Sequence, residues 1–390
     1  MFTATDNLVR LRQRANVVVA ERFAFCATCG TRKVKIVDAQ IRRPKGAKRR
    51  APGGNGQAGG TKPQHEGAEA PYGALDLGTN NCRLLIARPA KTGLQVVDAY
   101  SRIVRLGEGL GRSGILSDSA MGRTLEALRV CSNKLKWHHV GPRRLIATEA
   151  CRLASNGPEF IARVQEEIGL ELEIIDRATE ASLAATGASP LIEPGAQSAV
   201  IFDIGGGSTE VMWMERAGER YEIKAWISLA AGVVTLSERL NGGRDVTPEA
   251  FAAMCDEVRR LIKPFVDEVA GFAGVGAAPS HLLGTSGTVT TIAGVHLGLR
   301  HYDRSKVDGA WLSNEGAGGV TKRLLEMTYE ERVANGCIGR ERADLVLAGC
   351  AILEEIRLAF PAPRIRVADR GLREGILIQL MQADGVWSNH

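Results

Sequence analysis

The sequence predicts an α/β protein built from two tandem, duplicated domains around a central cleft, and three observations lead there. Two apolar strands end on the same signature, Ala74-Leu-Asp-Leu-Gly78 and Ile201-Phe-Asp-Ile-Gly205, each followed by a turn and a second apolar strand. After each signature the order of elements is the same, three strands and then alternating helices and strands, so the second half repeats the first. Finally, 390 residues with 44 % hydrophobic and 24 % charged content leave room for two sizeable cores.

The bulk numbers exclude several classes. No apolar run approaches the roughly 18 to 20 residues that span a bilayer, and Val17-Val-Val-Ala20 is broken by Glu21-Arg22, so a cytoplasmic location and no membrane partner are expected. The net charge of +6 belongs to the N-terminal segment. Residues 1–71 carry 14 Lys+Arg against 5 Asp+Glu, which leaves 36 against 39 for the rest. A globally basic nucleic-acid-binding surface is therefore not expected. Eight cysteines, six of them scattered singly among apolar neighbours, do not make a disulfide scaffold. Cys26-Ala-Thr-Cys29 is half of a zinc-ribbon pattern with no second half, so no zinc site is expected.

In chain order, residues 1–70 read as a basic, Gly-rich and disordered extension, with short strands at 16–20 and 34–37. The extension is read as solvated rather than as an arm for nucleic acid. The first domain is placed at 71–195. Strands at 72–77, 81–88 and 94–106 form a meander, with a tight turn at 78–80. Ser117 or Asp118 caps a helix on which Met121, Leu125, Leu128 and Leu135 recur at helical spacing. A strand at 145–147, a helix at 158–168, a strand at 172–175 and a helix from Ala178 follow. The second domain, 196–390, begins with strands at 199–204, 210–214 and 221–227. Helices are expected at 229–240 and at 248–270, the latter with Thr247 as cap and Pro248 in its first turn. The last elements are a strand at 281–284, helices at 289–298 and 340–359, a strand at 364–367 and a helix at 372–382.

The candidate chemistry lies on the two hairpins. Gly205, Gly206 and Gly207 carry no side chain to hold off a ligand and can take φ > 0, which would let several N–H groups converge on an anion. A structural hairpin normally closes with two turn residues and needs no carboxylate on each side of the turn, as Asp203 and Glu210 provide. Phosphate is the expected ligand. Gly78, Thr79, Asn80, Asn81 and Arg83 on one wall, with Gly206, Gly207, Ser208 and Thr209 on the other, supply donors or bare backbone. Asp76 and Asp203 are expected to carry a hydrated Mg²⁺ (or Mn²⁺), since two anions meeting without a cation repel. Gly284-Thr285-Ser286-Gly287-Thr288, between a strand and a helix, offers N–H groups at a helix start. Arg152 offers a bidentate oxyanion clamp. Glu149 reads as a solvated or helix-capping residue, and Glu180, from its position alone, as an ordinary helix glutamate.

Asp76-Leu-Gly-Thr-Asn80, Asp203-Ile-Gly-Gly-Gly-Ser-Thr-Glu210, Gly284-Thr-Ser-Gly-Thr288, Glu341-Arg-Ala-Asp344 and Asp369-Arg-Gly-Leu-Arg-Glu-Gly375 resemble, in this order and spacing, the exopolyphosphatase/guanosine pentaphosphate phosphohydrolase (Ppx/GppA) family over residues 72–383. The resemblance implies the actin-like ATPase fold, with two ribonuclease-H-like domains around a cleft. It implies a phosphoanhydride hydrolase acting on polyphosphate or on guanosine pentaphosphate, the stringent-response alarmone, and often a homodimer. The family's base aligns with Glu180 through Glu173-Ile-Ile-Asp-Arg-Ala-Thr-Glu-Ala181, and its metal- or water-positioning glutamate with Glu210. The sequence departs from the common pattern at Thr179 and Ser182, where many members have an acidic residue and an arginine. A kinase for a small-molecule acceptor on the same fold, and a non-catalytic nucleotide sensor or actin-like filament protein, are the rival readings.

Overall fold

The computed structural model describes residues 70–387 except Thr92 and Asn241, together with four short upstream strands. β1 (Gln13–Arg14) pairs antiparallel with β2 (Val17–Val18), and β3 (Phe23–Phe25) with β4 (Arg32–Val34). The expectations for the rest of residues 1–69, including Cys26 and Cys29, lie outside the described residues.

Two sheets carry the fold. In the first, β5 (Tyr72–Leu77), β6 (Asn81–Ala90) and β7 (Gly93–Ile103) form the expected antiparallel meander. β8 (Arg143–Ala147) lies parallel to β5, and β9 (Glu173–Ile174) parallel to β8, giving the order β7-β6-β5-β8-β9. In the second, β10 (Ser198–Ile204), β11 (Thr209–Ala217) and β12 (Arg220–Leu229) form the meander. β13 (His281–Thr285) is parallel to β10, β14 (Trp311–Ser313) is a short antiparallel edge, and β15 (Arg364–Ala368) is parallel to β13. The order is β12-β11-β10-β13-β15-β14. Apart from that edge strand, both sheets run third, second, first, fourth, fifth, so the duplication read from the sequence is a duplication of topology.

Alternation along the strands decides what covers them. On β5, Leu75 and Leu77 point to one face and Tyr72 and Ala74 to the other. The first face is covered by α2 (Asp118–Trp137), whose first turn is capped by the Ser117 hydroxyl, and by α4 (Gly157–Ile168). Leu125, Leu128, Phe160 and Val164 fill that layer. Before them comes the short α1 (Leu110–Ser113), and between them α3 (Glu149–Leu153). The second face is covered by α5 (Arg177–Ala188) and by the last helix of the chain, α13 (Leu372–Ala383). Leu372, Ile376, Leu377 and Met381 pack on Tyr72, Ala74, Leu85 and Ala87, and Tyr72 Oη donates to Asp384 at 2.9 Å. A helix from the end of the sequence thus completes the first sheet.

α5 faces both ways. Its Ala181, Ala185 and Ala188 pack on Ile201, Met212 and Leu283 of the second sheet, while Leu183 joins the first-sheet core. Where α5 crosses α13 the backbones touch. A Cβ on Gly187 would lie 1.9 Å from the Gly371 carbonyl oxygen, and one on Gly375 would lie 2.0 Å from that of Leu183, so no larger residue fits. The outer face of the second sheet carries α6 (Val233–Arg239), α7 (Pro248–Ala273), α8 (Ser286–His296) and, beyond α9 (Arg304–Val307), α10 (Asn314–Glu326) and α11 (Tyr329–Ala334), the helix α12 (Val346–Ala359). Phe202, Val258, Phe265, Ile352 and Phe360 fill that core, with the Phe265 and Phe360 rings 5.5 Å apart.

Three expectations change. The helix expected at 229–240 starts only at Val233, because Leu229 still belongs to β12. The one expected at 340–359 starts at Val346. Gly339, at φ 70, turns the chain, and a run of tight turns follows in which the Arg342 and Ala343 amides donate to the Gly339 carbonyl. β14, α9, α10 and α11 were not anticipated. The strand is three residues long and two of the helices are only four and six, too short for a period to show.

Candidate active site

Strand register assembles the site. Asp76 and Asp203 occupy the penultimate positions of β5 and β10, at the strand ends where the two sheets face each other. On β6 the residue opposite Asp76 is Arg83, and on β11 the residue opposite Asp203 is Glu210. The two hairpins share one frame and differ in the charge they hold at that register. Parallel pairing sets Asp203 beside Thr285 as well, which brings the start of α8 to the same end.

The two hairpin turns touch. A Cβ on Gly206 would lie 3.1 Å from Asn80 N and from Thr79 Cβ, and one on Gly207 would lie 2.6 Å from Thr79 Oγ1. This close approach, and not a left-handed backbone, is what the glycine run provides. None of Gly205, Gly206 and Gly207 has positive φ, which corrects the reason expected for them. The Gly205 amide is spent on Ser208 O at 3.0 Å, and that of Gly78 on Asn81 O at 2.9 Å. The amides of Thr79, Asn80, Gly206, Gly207 and Ser208 take no partner among the described residues and remain for a ligand. Two buried polar atoms point the same way. Asn80 Oδ1 and Ser286 Oγ lack hydrogen-bond partners, and Ser286 sits at φ 91, a left-handed conformation that costs a non-glycine residue roughly 1–3 kcal/mol.

Asp76, Glu180, Asp203 and Glu210 are four of the carboxylates that line the cleft. Burial pushes all of them upward. Asp203 rises to about 6, with the charge of Asp76 adding to burial and Arg83 opposing it. Glu210 rises to about 7 through burial and the charge of Asp203, against hydrogen bonds from the Ser208 and Ser228 hydroxyls at 2.8 Å each. Asp76 is raised by burial, with Arg83 and Arg373 pulling the other way. Glu180 stands well above the ordinary carboxylate range, through burial and then Glu210, although Arg152 Nη2 donates to its Oε2 at 2.9 Å. Carboxylates that repel one another in a buried cleft would be relieved by a cation. An all-oxygen donor set suits a hard divalent ion. Among the described residues no three acidic, histidine or cysteine side chains could hold a metal together. A cation here would take one or two carboxylates and keep water, as Mg²⁺ does.

Most residues expected at the site are brought together there: Gly78, Thr79, Asn80, Asn81, Arg83, Gly205, Gly206, Gly207, Ser208, Thr285, Ser286 and Gly287 all line the cleft. Three are placed otherwise. The Thr209 hydroxyl is buried and donates to Ala231 O at 2.6 Å. A Cβ on Gly284 would lie 2.5 Å from the Phe202 ring, so that glycine serves packing. Arg152, expected as a phosphate clamp, is engaged by Glu149, Glu180 and the Ile175 carbonyl. Glu149, read as a solvated or helix-capping residue, does open α3 but is 3 % exposed on the cleft wall.

The cleft also contains Arg342, Asp369, Arg370, Arg373 and Glu374, to which no role was given. Their signal was present in the two blocks ending at Asp344 and Gly375. Arg342 Nη1 donates to Thr291 Oγ1 at 3.0 Å, and a Cβ on Gly287 would lie 3.5 Å from Arg83 Nη2 and 3.7 Å from Arg342 Cζ. Arg83, Arg342 and Arg373 make no ion pair with a carboxylate among the described residues, whereas Arg370 is held by Asp308. Beside Arg342 the halves are bridged: Arg105 Nη1 and Nη2 reach Asp344 Oδ2 and Oδ1 at 2.9 and 3.1 Å. The Arg105 amide is itself tied to Asn80 O at 3.0 Å.

Two sheets of the same strand order with this cleft at their facing strand ends define a two-domain protein of the actin-like ATPase fold. Comparison with known proteins narrows the class. The Ppx/GppA phosphatase family matches residues 85–384, and the chain belongs to that family. It is 31 % identical over 326 residues to exopolyphosphatase 2 of Mycobacterium tuberculosis, covering 79 % of this chain and 97 % of that one. Among solved structures, an exopolyphosphatase from Cytophaga hutchinsonii superposes with a TM-score of 0.72 at 26 % identity, over 81 % of this chain and 99 % of the other. The Ppx/GppA family member from Aquifex aeolicus gives a TM-score of 0.67 at 27 % identity, over 82 % and 99 %. No helix among the described residues is long and apolar enough to cross a membrane.

Proposed function

We propose that this protein hydrolyses the terminal phosphoanhydride of inorganic polyphosphate, of guanosine pentaphosphate, or of both, with water activated by Glu180. The observation that carries the reading is the facing arrangement in one cleft: carboxylates at Asp76, Glu180, Asp203 and Glu210, five unpartnered backbone amides, and the unpaired guanidinium groups of Arg83, Arg342 and Arg373. Amides and guanidinium groups suit the equatorial oxygens of a terminal phosphate. A Mg²⁺ or Mn²⁺ ion held through water by Asp76 and Asp203 would neutralise charge on the transferred phosphoryl group.

Glu180 has one oxygen fixed by Arg152 and the other free of described partners, and its raised affinity for a proton suits a base. It takes a proton as the water oxygen bonds to the terminal phosphorus. The P–O bond to the next phosphate breaks, its electron pair leaves with the bridging oxygen, and orthophosphate is released. Glu210, held by two serine hydroxyls, orients the same water.

Phosphate release measured in parallel from polyphosphate, guanosine pentaphosphate and ATP tests this. Glu180→Ala should lower kcat by roughly 10²- to 10⁴-fold with little change in KM. Equal loss of binding and turnover, or no release from any of the three substrates, would remove the assignment.

A further inference from the structure

Glu149 is one of the most buried charged groups in the protein, and both of its oxygens are taken. Oε1 accepts from Arg177 Nη2 at 2.6 Å, and Oε2 accepts from Arg152 Nε at 2.9 Å and Nη2 at 2.5 Å. The same Arg152 Nη2 reaches Glu180 Oε2 at 2.9 Å, while Nη1 donates to the Ile175 carbonyl at 2.6 Å. Arg177, Glu149, Arg152 and Glu180 therefore form a row of alternating charge that runs from a half-exposed guanidinium into the cleft. Buried charges are tolerated when paired and hydrogen-bonded in this way, and removing one member leaves its neighbour uncompensated. The opposite hairpin fixes the seat of Glu149, since a Cβ on Gly207 would lie 2.9 Å from Glu149 Cγ.

An unengaged arginine in a cleft that receives phosphate would be drawn to the phosphate, because its fork matches that geometry. Here the fork is already occupied. We propose that Glu149 is a positioning residue: it holds the Arg152 guanidinium so that Arg152 orients the Glu180 carboxylate instead of binding the substrate. The inference rests on Glu180 being the group that activates water. Among the described residues the Glu149 carboxylate hydrogen-bonds only Arg152 and Arg177, and none of the hairpin amides nor Arg83, Arg342 or Arg373, so its influence on the reaction runs through Arg152.

The test is a double-mutant cycle with Glu149→Gln and Glu180→Gln, read as kcat and KM for phosphate release. Glutamine keeps the shape of Glu149 but loses its charge and can no longer accept from both arginines. In the wild-type background kcat should fall roughly 10- to 100-fold, since a misplaced catalytic group costs about that much. KM should stay level or fall as Arg152 becomes free for phosphate. In the Glu180→Gln background the same change should cost little more, because its effect passes through Glu180. An equal factor lost in both backgrounds would show a general structural effect and overturn the inference, as would no loss in the wild type. Should Glu149→Gln not fold, Arg177→Gln at the half-exposed end of the row replaces it, with the same pattern expected in smaller measure and the same two results against it. Undiminished turnover in Glu180→Gln alone would remove the base assignment first, and the inference with it.

Discussion

Neutralising Glu210 should stabilise the protein while destroying its activity. Its carboxyl is pushed up to about 7 from an ordinary 4.5, by burial and by Asp203 on the neighbouring strand. The folded state therefore binds a proton that the unfolded chain releases between about pH 4.5 and 7, so stability is fully present below the lower value and is lost as the pH rises through the upper one. A shift of that size corresponds to something on the order of 3 kcal/mol at pH 8. Glu210→Gln removes the titration and keeps the shape. Thermal unfolding without divalent ions should show Glu210→Gln melting several degrees above wild type at pH 8, with the gap closing by pH 4.5. Adding Mg²⁺ should narrow the gap at pH 8, because a cation at Asp76 and Asp203 would offset the charge of the nearby Glu210 carboxylate and so stabilise the wild type more than the variant. An equal gain at both pH values, or none at pH 8, would refute the reasoning, since neither can arise from a repelled carboxylate.

Other variants probe the frame around this group. Asp76→Asn should move the Mg²⁺ activation curve to higher concentration by about tenfold or more, and an unchanged curve would argue against Asp76 as a cation holder. Arg105→Ala breaks the part-exposed bridge to Asp344 and should raise KM roughly two- to fivefold at nearly constant kcat; a fall in kcat at constant KM would place its effect elsewhere. Gly187→Ala puts a methyl into the Gly371 backbone and should cost roughly 1–3 kcal/mol or more in urea unfolding. An unshifted midpoint would mean that the helices separate at little cost.

Much of the fold was legible because it is written in local pattern. The apolar strands ending at Asp76 and Asp203, and the duplication they announce, follow from alternation and turn chemistry within a dozen residues. The Ser117 and Thr247 caps were equally local, and both accept the expected amide. What escaped depends on distance. Glu149 is buried because Arg177 lies 28 positions away and the Gly207 turn comes from the other sheet, so nothing beside it in the chain could mark it as more than a helix-start glutamate. Arg152 was assigned to phosphate for the same reason: its partner Glu180 lies beyond an intervening helix and strand. Arg342 enters the cleft because the helix begins six residues later than periodicity suggested, leaving tight turns where a regular coil was expected. The glycine run lines the cleft, but it is not the left-handed loop that was expected. The need for small residues came from Thr79 and Asn80 on the facing hairpin, which no local signal could supply.

The packing of α13 on the first sheet bears on how the chain comes off the ribosome. Half of one layer over Tyr72, Ala74, Leu85 and Ala87 is provided by Leu372, Ile376, Leu377 and Met381. The first of the two large sheets therefore waits, with an apolar face uncovered, until the chain has been synthesised through Met381. A fragment ending before Leu372 would keep every strand of both sheets and still leave the earlier one unfinished. A stop codon just before Leu372 should for this reason send the protein to aggregation or proteolysis, although every cleft residue before Leu372 would still have been translated.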